Sequence, residues 1–242
     1  MDKIRDDMKQ TAEVIFDGGR VITQDEDMPE AQAVAAAGGR IIAVGSSAEL
    51  EQLKTKNTVV YDMQGYWMLP GFIAADITKM PEWTRDEKHE TAAVMTDVAE
   101  MTYQSGYTLV CGGNMSEAEK CLYKEALEGA ENPNEEHIVK QRFIADVCDA
   151  GPYDAGDDPG DAADARTVRA AEKAGIADLY GTITVGKYAD FAIFDEDPFR
   201  VTMVTSRLMP DVAAVVVGGK MVYDAEHDDS EMLYDMMTHQ NY

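Results

Sequence analysis

Three observations predict an α/β fold. Short apolar runs broken by paired glycines stand near both ends of the chain, helix-like and strand-like segments alternate in the middle, and 45% of the residues are hydrophobic, enough for a packed core. Brief β-branched runs bounded by glycine read as strands of a small sandwich. Alternating helix and strand is the pattern of βα units with parallel pairing.

The first 73 residues read as β-rich. Glu13-Val14-Ile15-Phe16 and Arg20-Val21-Ile22-Thr23 flank Asp17-Gly18-Gly19, a hairpin signal because glycine accepts the positive φ of tight turns. The pattern recurs in Ala33–Ala37, Gly38-Gly39 and Arg40–Val44, and again in Val212–Val217, Gly218-Gly219 and Lys220–Tyr223. Ser46 and Glu49 form an S-x-x-E capping box ahead of Leu50 and Leu53, so a short helix is expected there. Thr58–Tyr61 is the next strand, and Gly65–Met68 leads into the Leu69-Pro70-Gly71 turn.

From Asp86 to Ser105 a helix is expected, with Val94, Val98 and Met101 on one face and Gly106 as its stop. Tyr107–Cys111 is a strand, Gly112-Gly113-Asn114 a turn, and Ser116 with Glu119 caps a helix that ends near Gly129. Arg142–Val147 is another strand. Residues 149–164 are rich in Asp, Gly, Ala and Pro and read as an acidic loop, followed by a helix from Ala165 to Ala174. The segment from Asp224 is polar, acidic and Met-rich, and is expected to be a short helix or a tail.

The net charge of -25 argues against nucleic acid and anionic membranes as partners. No apolar run approaches the ~20 residues of a bilayer span, and Met1–Asp7 lacks the apolar core of a secretory signal. Cys111, Cys121 and Cys148 are odd in number and have no metal-type spacing, which fits a reduced, cytoplasmic setting.

Leu69-Pro70-Gly71-Phe72-Ile73-Ala74-Ala75-Asp76-Ile77-Thr78 resembles the L-P-G-F-I-D-x-H-x-H segment of the amidohydrolase superfamily. Gly181-Thr182-Ile183-Thr184-Val185-Gly186-Lys187-Tyr188-Ala189-Asp190-Phe191 resembles that family's tail motif, as do Asp197-Pro198 and Val216–Tyr223. Ala37–Gly45 is similar to its second hairpin. The middle is most similar to the branch that cleaves exocyclic C–N bonds of amides.

The resemblance implies a composite β-sandwich of residues 1–73 and 181–223. Residues 74–180 would be a reduced, incomplete (β/α)-barrel insert, and 224–242 an acidic tail. About 110 residues separate Gly71 from Gly181, against ~250 for a full barrel. An open barrel remnant needs cover, so a homo-oligomer or a partner chain is expected. Lys187 and Asp190 are expected to serve a turn.

Members of the family bind one or two divalent metals through paired histidines, a carboxylated Lys or a Glu, two later histidines and an Asp. In this chain Asp76 and Thr78 fall where the H-x-H histidines stand. The four histidines, His89, His137, His227 and His239, have no paired spacing and read as solvated. Zinc activation of water needs about three protein ligands, and that set cannot be assembled. No metal cofactor is therefore expected. The candidate for a residual divalent site is Asp76 with Asp158, the latter in a Gly156-Asp157-Asp158-Pro159 run that resembles the family's last-strand G-S-D-x-P. The plainer reading of both is solvated acid. Gly112-Gly113-Asn114 is a lesser candidate, as an anion cradle or simply a βα turn.

Two functions remain open: a relative that has lost metal-dependent hydrolysis and serves as a binding or assembly protein, or a hydrolase of non-peptide C–N bonds whose site is completed by replacement ligands or a partner chain. A degraded or truncated gene product is a third possibility, against which the intact capping boxes argue.

Overall fold

The computed structural model describes residues 11–75, 77–79, 92–129, 141–145, 159–200 and 212–225. The elements in order are β1 (Val14–Asp17), β2 (Arg20–Ile22), β3 (Glu30–Ala31), β4 (Ala33–Ala37), β5 (Arg40–Gly45), α1 (Ser47–Leu50), β6 (Val59–Asp62), β7 (Trp67–Pro70) and β8 (Phe72–Ala74). Then come α2 (Ala92–Gln104), β9 (Tyr107–Cys111), α3 (Glu117–Gly129), β10 (Arg142–Ile144), α4 (Pro159–Arg166), α5 (Val168–Lys173), β11 (Phe191–Phe194), β12 (Ala214–Val217) and β13 (Lys220–Asp224). The mixed α/β class read from the sequence is what forms.

Among the described residues the strands make three sheets. The first has the order β5-β4-β1-β6, the second β13-β12-β11-β7-β2-β3, and the third β10-β9-β8. The second sheet joins strands from both ends of the chain: β11 lies antiparallel to β7, with Phe191 opposite Pro70 and Phe194 opposite Trp67. One apolar cluster fills the space between the first two sheets, with Phe16, Val34 and Ile41 meeting Met68, Phe191 and Val216. Phe16 stacks on Tyr61 at 5.1 Å and meets the Phe191 ring edge-on at 5.7 Å, geometries that aromatic quadrupoles favour.

Two of the three expected hairpins form. β4 pairs antiparallel with β5, and β12 with β13. Their turn residues Gly38, Gly39, Gly218 and Gly219 all have positive φ, 57° to 77°. The first expected hairpin does not form. β1 pairs with β4 and β6, whereas β2 pairs with β3 and β7. Gly18-Gly19 instead carries the chain from one sheet to the other. It passes so close to the next turn that a Cβ on Gly19 would lie 2.5 Å from Met63 Cε and 2.8 Å from the Tyr66 carbonyl oxygen.

The third sheet is parallel throughout, with α2 and α3 as its crossovers. Successive strand residues face opposite ways, and the shift of register that skips Thr108 lets Tyr107 share a face with Val110. Phe72, Ala74, Tyr107 and Val110 pack with Met95, Val98 and Ala99 of α2 and with Tyr123 and Ala126 of α3. The same cluster takes in Leu69, Ala192, Phe194 and Val215 of the second sheet. On the other face Ile73, Leu109 and Cys111 meet Ala170 and Ala171 of α5, with Ile176 and Tyr180 beyond. Helix α5 therefore covers the face of the parallel strands opposite α2 and α3.

The apolar stripe of α2 is turned slightly from the expected one. Met95, Val98, Ala99 and Thr102 are buried, whereas Val94 and Met101 are half-buried. The expected acidic loop to residue 164 is helical from Pro159 onward, because proline at a first helical position gives up only an N–H that would have no helical acceptor. The expected helix Ala165–Ala174 is broken at Thr167, whose φ and ψ are -121° and -91°. The Thr167 hydroxyl instead donates to the Ala163 carbonyl at 2.7 Å.

Candidate functional site

In a parallel βα sheet the strand carboxyl ends are where chemistry is usually built. Here the described residues at those ends are Ala74 and Ala75 after β8, Cys111 and Gly112 after β9, and Ile144 and Ala145 after β10. The turn after β9 is packed tight. The Gly112 amide donates to the Ile144 carbonyl at 3.0 Å, and a Cβ there would lie 2.6 Å from Phe143 Cζ and 2.8 Å from Met115 Sδ. Within the Gly112-Gly113-Asn114 segment the Gly112 amide is thus taken up by the fold itself, at the end of β10. Ser116 and Glu119 then cap α3 reciprocally: the Ser116 amide donates to the Glu119 carboxylate at 2.7 Å, and the Glu119 amide to Ser116 Oγ at 3.2 Å.

Cys111 is the one strand-end residue here with a metal-ligating side chain, and burial pushes its thiol pKa up to about 12. A thiol held protonated is a poor nucleophile. Thr78 lies in a short 3₁₀ turn, Ile77–Lys79, beside the fully buried Ile77. The candidate ligands Asp76 and Asp158 lie outside the described residues, as do His89, His137, His227 and His239.

The side chains that the fold does bring together lie where the third sheet meets the second. Asp190, 5% exposed, accepts from Arg142 Nε at 2.7 Å and Nη2 at 3.1 Å, and from the Gly218 amide at 2.7 Å. Its own carbonyl accepts from the Gly71 amide at 2.8 Å. Burial alone would lower the Arg142 pKa, but the hydrogen bond and charge of Asp190 outweigh it and the net shift is upward. The guanidinium groups of Arg40 and Arg142 lie 3.5 Å and 4.0 Å from the centre of the Tyr188 ring, on which Tyr180 also stacks at 4.9 Å. Burial raises the Tyr180 pKa and lowers that of Lys187, whose ammonium donates to the Tyr180 carbonyl at 3.1 Å.

This cluster binds strand β10 to the tail motif, so Asp190 serves more than a turn. Sequence reasoning singled out Lys187 and Asp190 but missed Arg40, Arg142 and Tyr188. Their partners are distant along the chain, and no local spacing marks them.

Comparison with known proteins bears out the superfamily resemblance. The model of the "Amidohydrolase family" matches residues 158–223. No curated protein matches significantly. Among solved structures, a zinc-bound adenosine deaminase from Xanthomonas campestris aligns with a TM-score of 0.57 at 11% identity, covering 94% of this chain and 97% of that one. A variant of atrazine chlorohydrolase from Arthrobacter aurescens TC1, complexed with zinc and atraton, has a TM-score of 0.59 at 12% identity, covering 93% and 99%. Guanine deaminase from E. coli has a TM-score of 0.55 at 10% identity, covering 87% and 99%. At these identities the likeness is one of fold. Kinship in sequence with the amidohydrolase family is thus carried by residues 158–223, and the chain shares the fold of the amidohydrolase-type structures above.

Two of these neighbours hold zinc, so the fit of the present residues to a metal can be tested. Among the described residues no three His, Cys, Asp or Glu side chains converge. At the described strand ends, alanine, glycine, isoleucine and a single buried cysteine do not make a zinc ligand set.

Proposed function

We propose that this chain is an amidohydrolase relative without metal-dependent hydrolysis, acting as a binding or assembly protein. One observation carries the reading. The turn that resembles the family's L-P-G-F segment is well packed, with β7 and β8 paired in their sheets and Gly71 pressed against Thr108. Yet the positions that would complete H-x-H are Asp76 and Thr78. A threonine hydroxyl is a poor replacement for an imidazole on zinc, and the Asp76 carboxylate alone leaves the set short of about three ligands.

In this reading residues 1–73 and 181–223 are a composite β-sandwich, 74–180 a shortened barrel remnant, and 224–242 an acidic tail. A second copy or another chain covers the edges of the parallel sheet, which β8 and β10 form. The charge of -25 directs such a protein away from nucleic acid and anionic membranes. No helix among the described residues is long and apolar enough to cross a membrane. A cytoplasmic setting agrees with the cysteine pattern.

The second reading is a hydrolase of non-peptide C–N bonds. The zinc-bound fold neighbours favour it. It requires replacement ligands, first Asp76 and Asp158, or a partner chain that completes the site.

Elemental mass spectrometry of the purified chain, paired with molar mass in solution, separates the two. A well-folded oligomer with far less than one equivalent of divalent metal supports the first reading. One equivalent of zinc, manganese or iron, lost in Asp76→Asn, would sink it in favour of the second.

A further inference from the structure

We propose that the rim between the first two sheets is a binding pocket for a small organic ammonium ion with an apolar body. A cavity of about 150 Å³ lies there, walled by residues of both sheets. Its position follows from the topology: β6 ends the first sheet and β13 ends the second, and both edges contribute to the wall. A dry cavity of about this size in another protein's apolar core admits a benzene ring.

The wall is chemically uneven. Its floor is apolar and polarisable: Phe16, Tyr61 and Met63 are each at least nine-tenths buried, and Met221 stands across from them on β13. Aromatic faces attract a cation through their quadrupole, and thioethers pack well against aromatic rings. Asp62 and Asp224 are also among the lining residues. Asp62 is exposed, and its carboxylate accepts the Gln64 amide at 2.9 Å. Among the described residues no Lys, Arg or His forms an ion pair with it. Burial raises the Tyr61 pKa, so the phenol stays neutral at physiological pH.

These features select the ligand class. The apolar floor needs a hydrophobic body of roughly benzene size. The Asp62 carboxylate favours a positive head, and the charge of -25 turns anions away. The inference does not depend on whether the chain hydrolyses anything, because the pocket lies between the first two sheets and away from the carboxyl ends of β8, β9 and β10.

The test titrates the full chain, labelled with methyl-¹³C methionine, with benzylammonium, benzyl alcohol and benzoate in turn. The expected result is saturable one-to-one binding of benzylammonium that moves the Met63 and Met221 methyl signals. Its Kd should be about 0.1–1 mM, as suits a ligand of so few atoms. Benzyl alcohol should bind at least about tenfold more weakly and benzoate weaker still. Asp62→Asn, a surface change, should weaken benzylammonium about three- to tenfold without altering the circular dichroism. Ala214→Leu should fill the cavity and abolish the shifts. Should that variant misfold, the probe series and Asp62→Asn still decide. Equal affinity for the alcohol and the ammonium would overturn the proposal, as would shifts that never saturate or leave Met63 and Met221 unmoved.

Discussion

At the scale of single residues, Gly71 shows why the Pro-Gly turn cannot drift. A Cβ there would lie 2.2 Å from Thr108 Oγ1, 2.5 Å from Cγ2 and 2.8 Å from Cβ. Gly71→Ala should therefore lower stability by about 2–3 kcal/mol, measured by urea unfolding. Adding Thr108→Ala removes the first two contacts but leaves the third, so only part of the loss should return. Asp190 belongs to the same junction. Asp190→Ala removes the partner of Arg142 and leaves a half-buried guanidinium without its carboxylate, at a cost of about 2–4 kcal/mol. A double-mutant cycle with Arg142→Met should give a coupling of more than about 1 kcal/mol. Cys111 and Cys121 should differ sharply in reactivity. With the Cys111 thiol pushed up to about 12 and buried, iodoacetamide at pH 8 should modify the exposed Cys121 and reach Cys111 only after denaturation, as peptide mass spectrometry would show.

At the scale of elements, the two capping boxes make distinct predictions. Ser116→Ala removes the hydroxyl that accepts the Glu119 amide at the start of α3 and should cost about 1 kcal/mol in urea unfolding. At α1, the Ser46 side chain and amide both hydrogen-bond Glu49, holding its carboxyl below the ordinary value of 4.5. A carboxyl with a lowered folded-state pKa contributes stability that is present above the unfolded pKa. That contribution is lost as pH falls through the folded value. In Ser46→Ala the Glu49 titration, followed by carbon NMR, should move back up toward 4.5, and this acid-side loss should shrink. Both boxes were legible because a cap is a local motif of four residues. The hairpins at Gly38-Gly39 and Gly218-Gly219 were legible for the same reason. Gly18-Gly19 misled because an identical local signal serves a crossing between sheets. What decides that outcome is the pairing of β1 with β6 and β2 with β7, which lie more than a helix away in sequence. Tyr188 with its two arginines was illegible for the same cause: Arg40, Arg142 and Tyr188 meet only when both ends of the chain and the third sheet have assembled.

At the scale of the whole molecule, the charge of -25 is spread over a chain that must stay compact. Self-repulsion of that size weakens the folded state and is screened by salt, with a Debye length of about 10 Å at 0.1 M and 3 Å at 1 M. The urea midpoint should therefore rise between 0.05 and about 1 M sodium chloride; an unchanged midpoint would show that the acidic side chains lie too far apart to matter. The superfamily was legible because its tail and turn motifs are sequence-local. The candidate metal residues were legible only as replacements at family positions, since Asp76 and Asp158 carry no spacing pattern of their own.

The second sheet has one more consequence, for the order in which the protein can be made. Strand β7 emerges from the ribosome early, yet its neighbour β11 begins at Phe191. The ~120 residues between them take roughly 6–24 s to translate at about 5–20 residues per second. Through that interval the nascent chain displays an unfinished apolar edge at Trp67–Pro70, a template for mispairing. Chaperone capture of the nascent chain should be greatest while this edge stands open and should fall once β11 has cleared the exit tunnel.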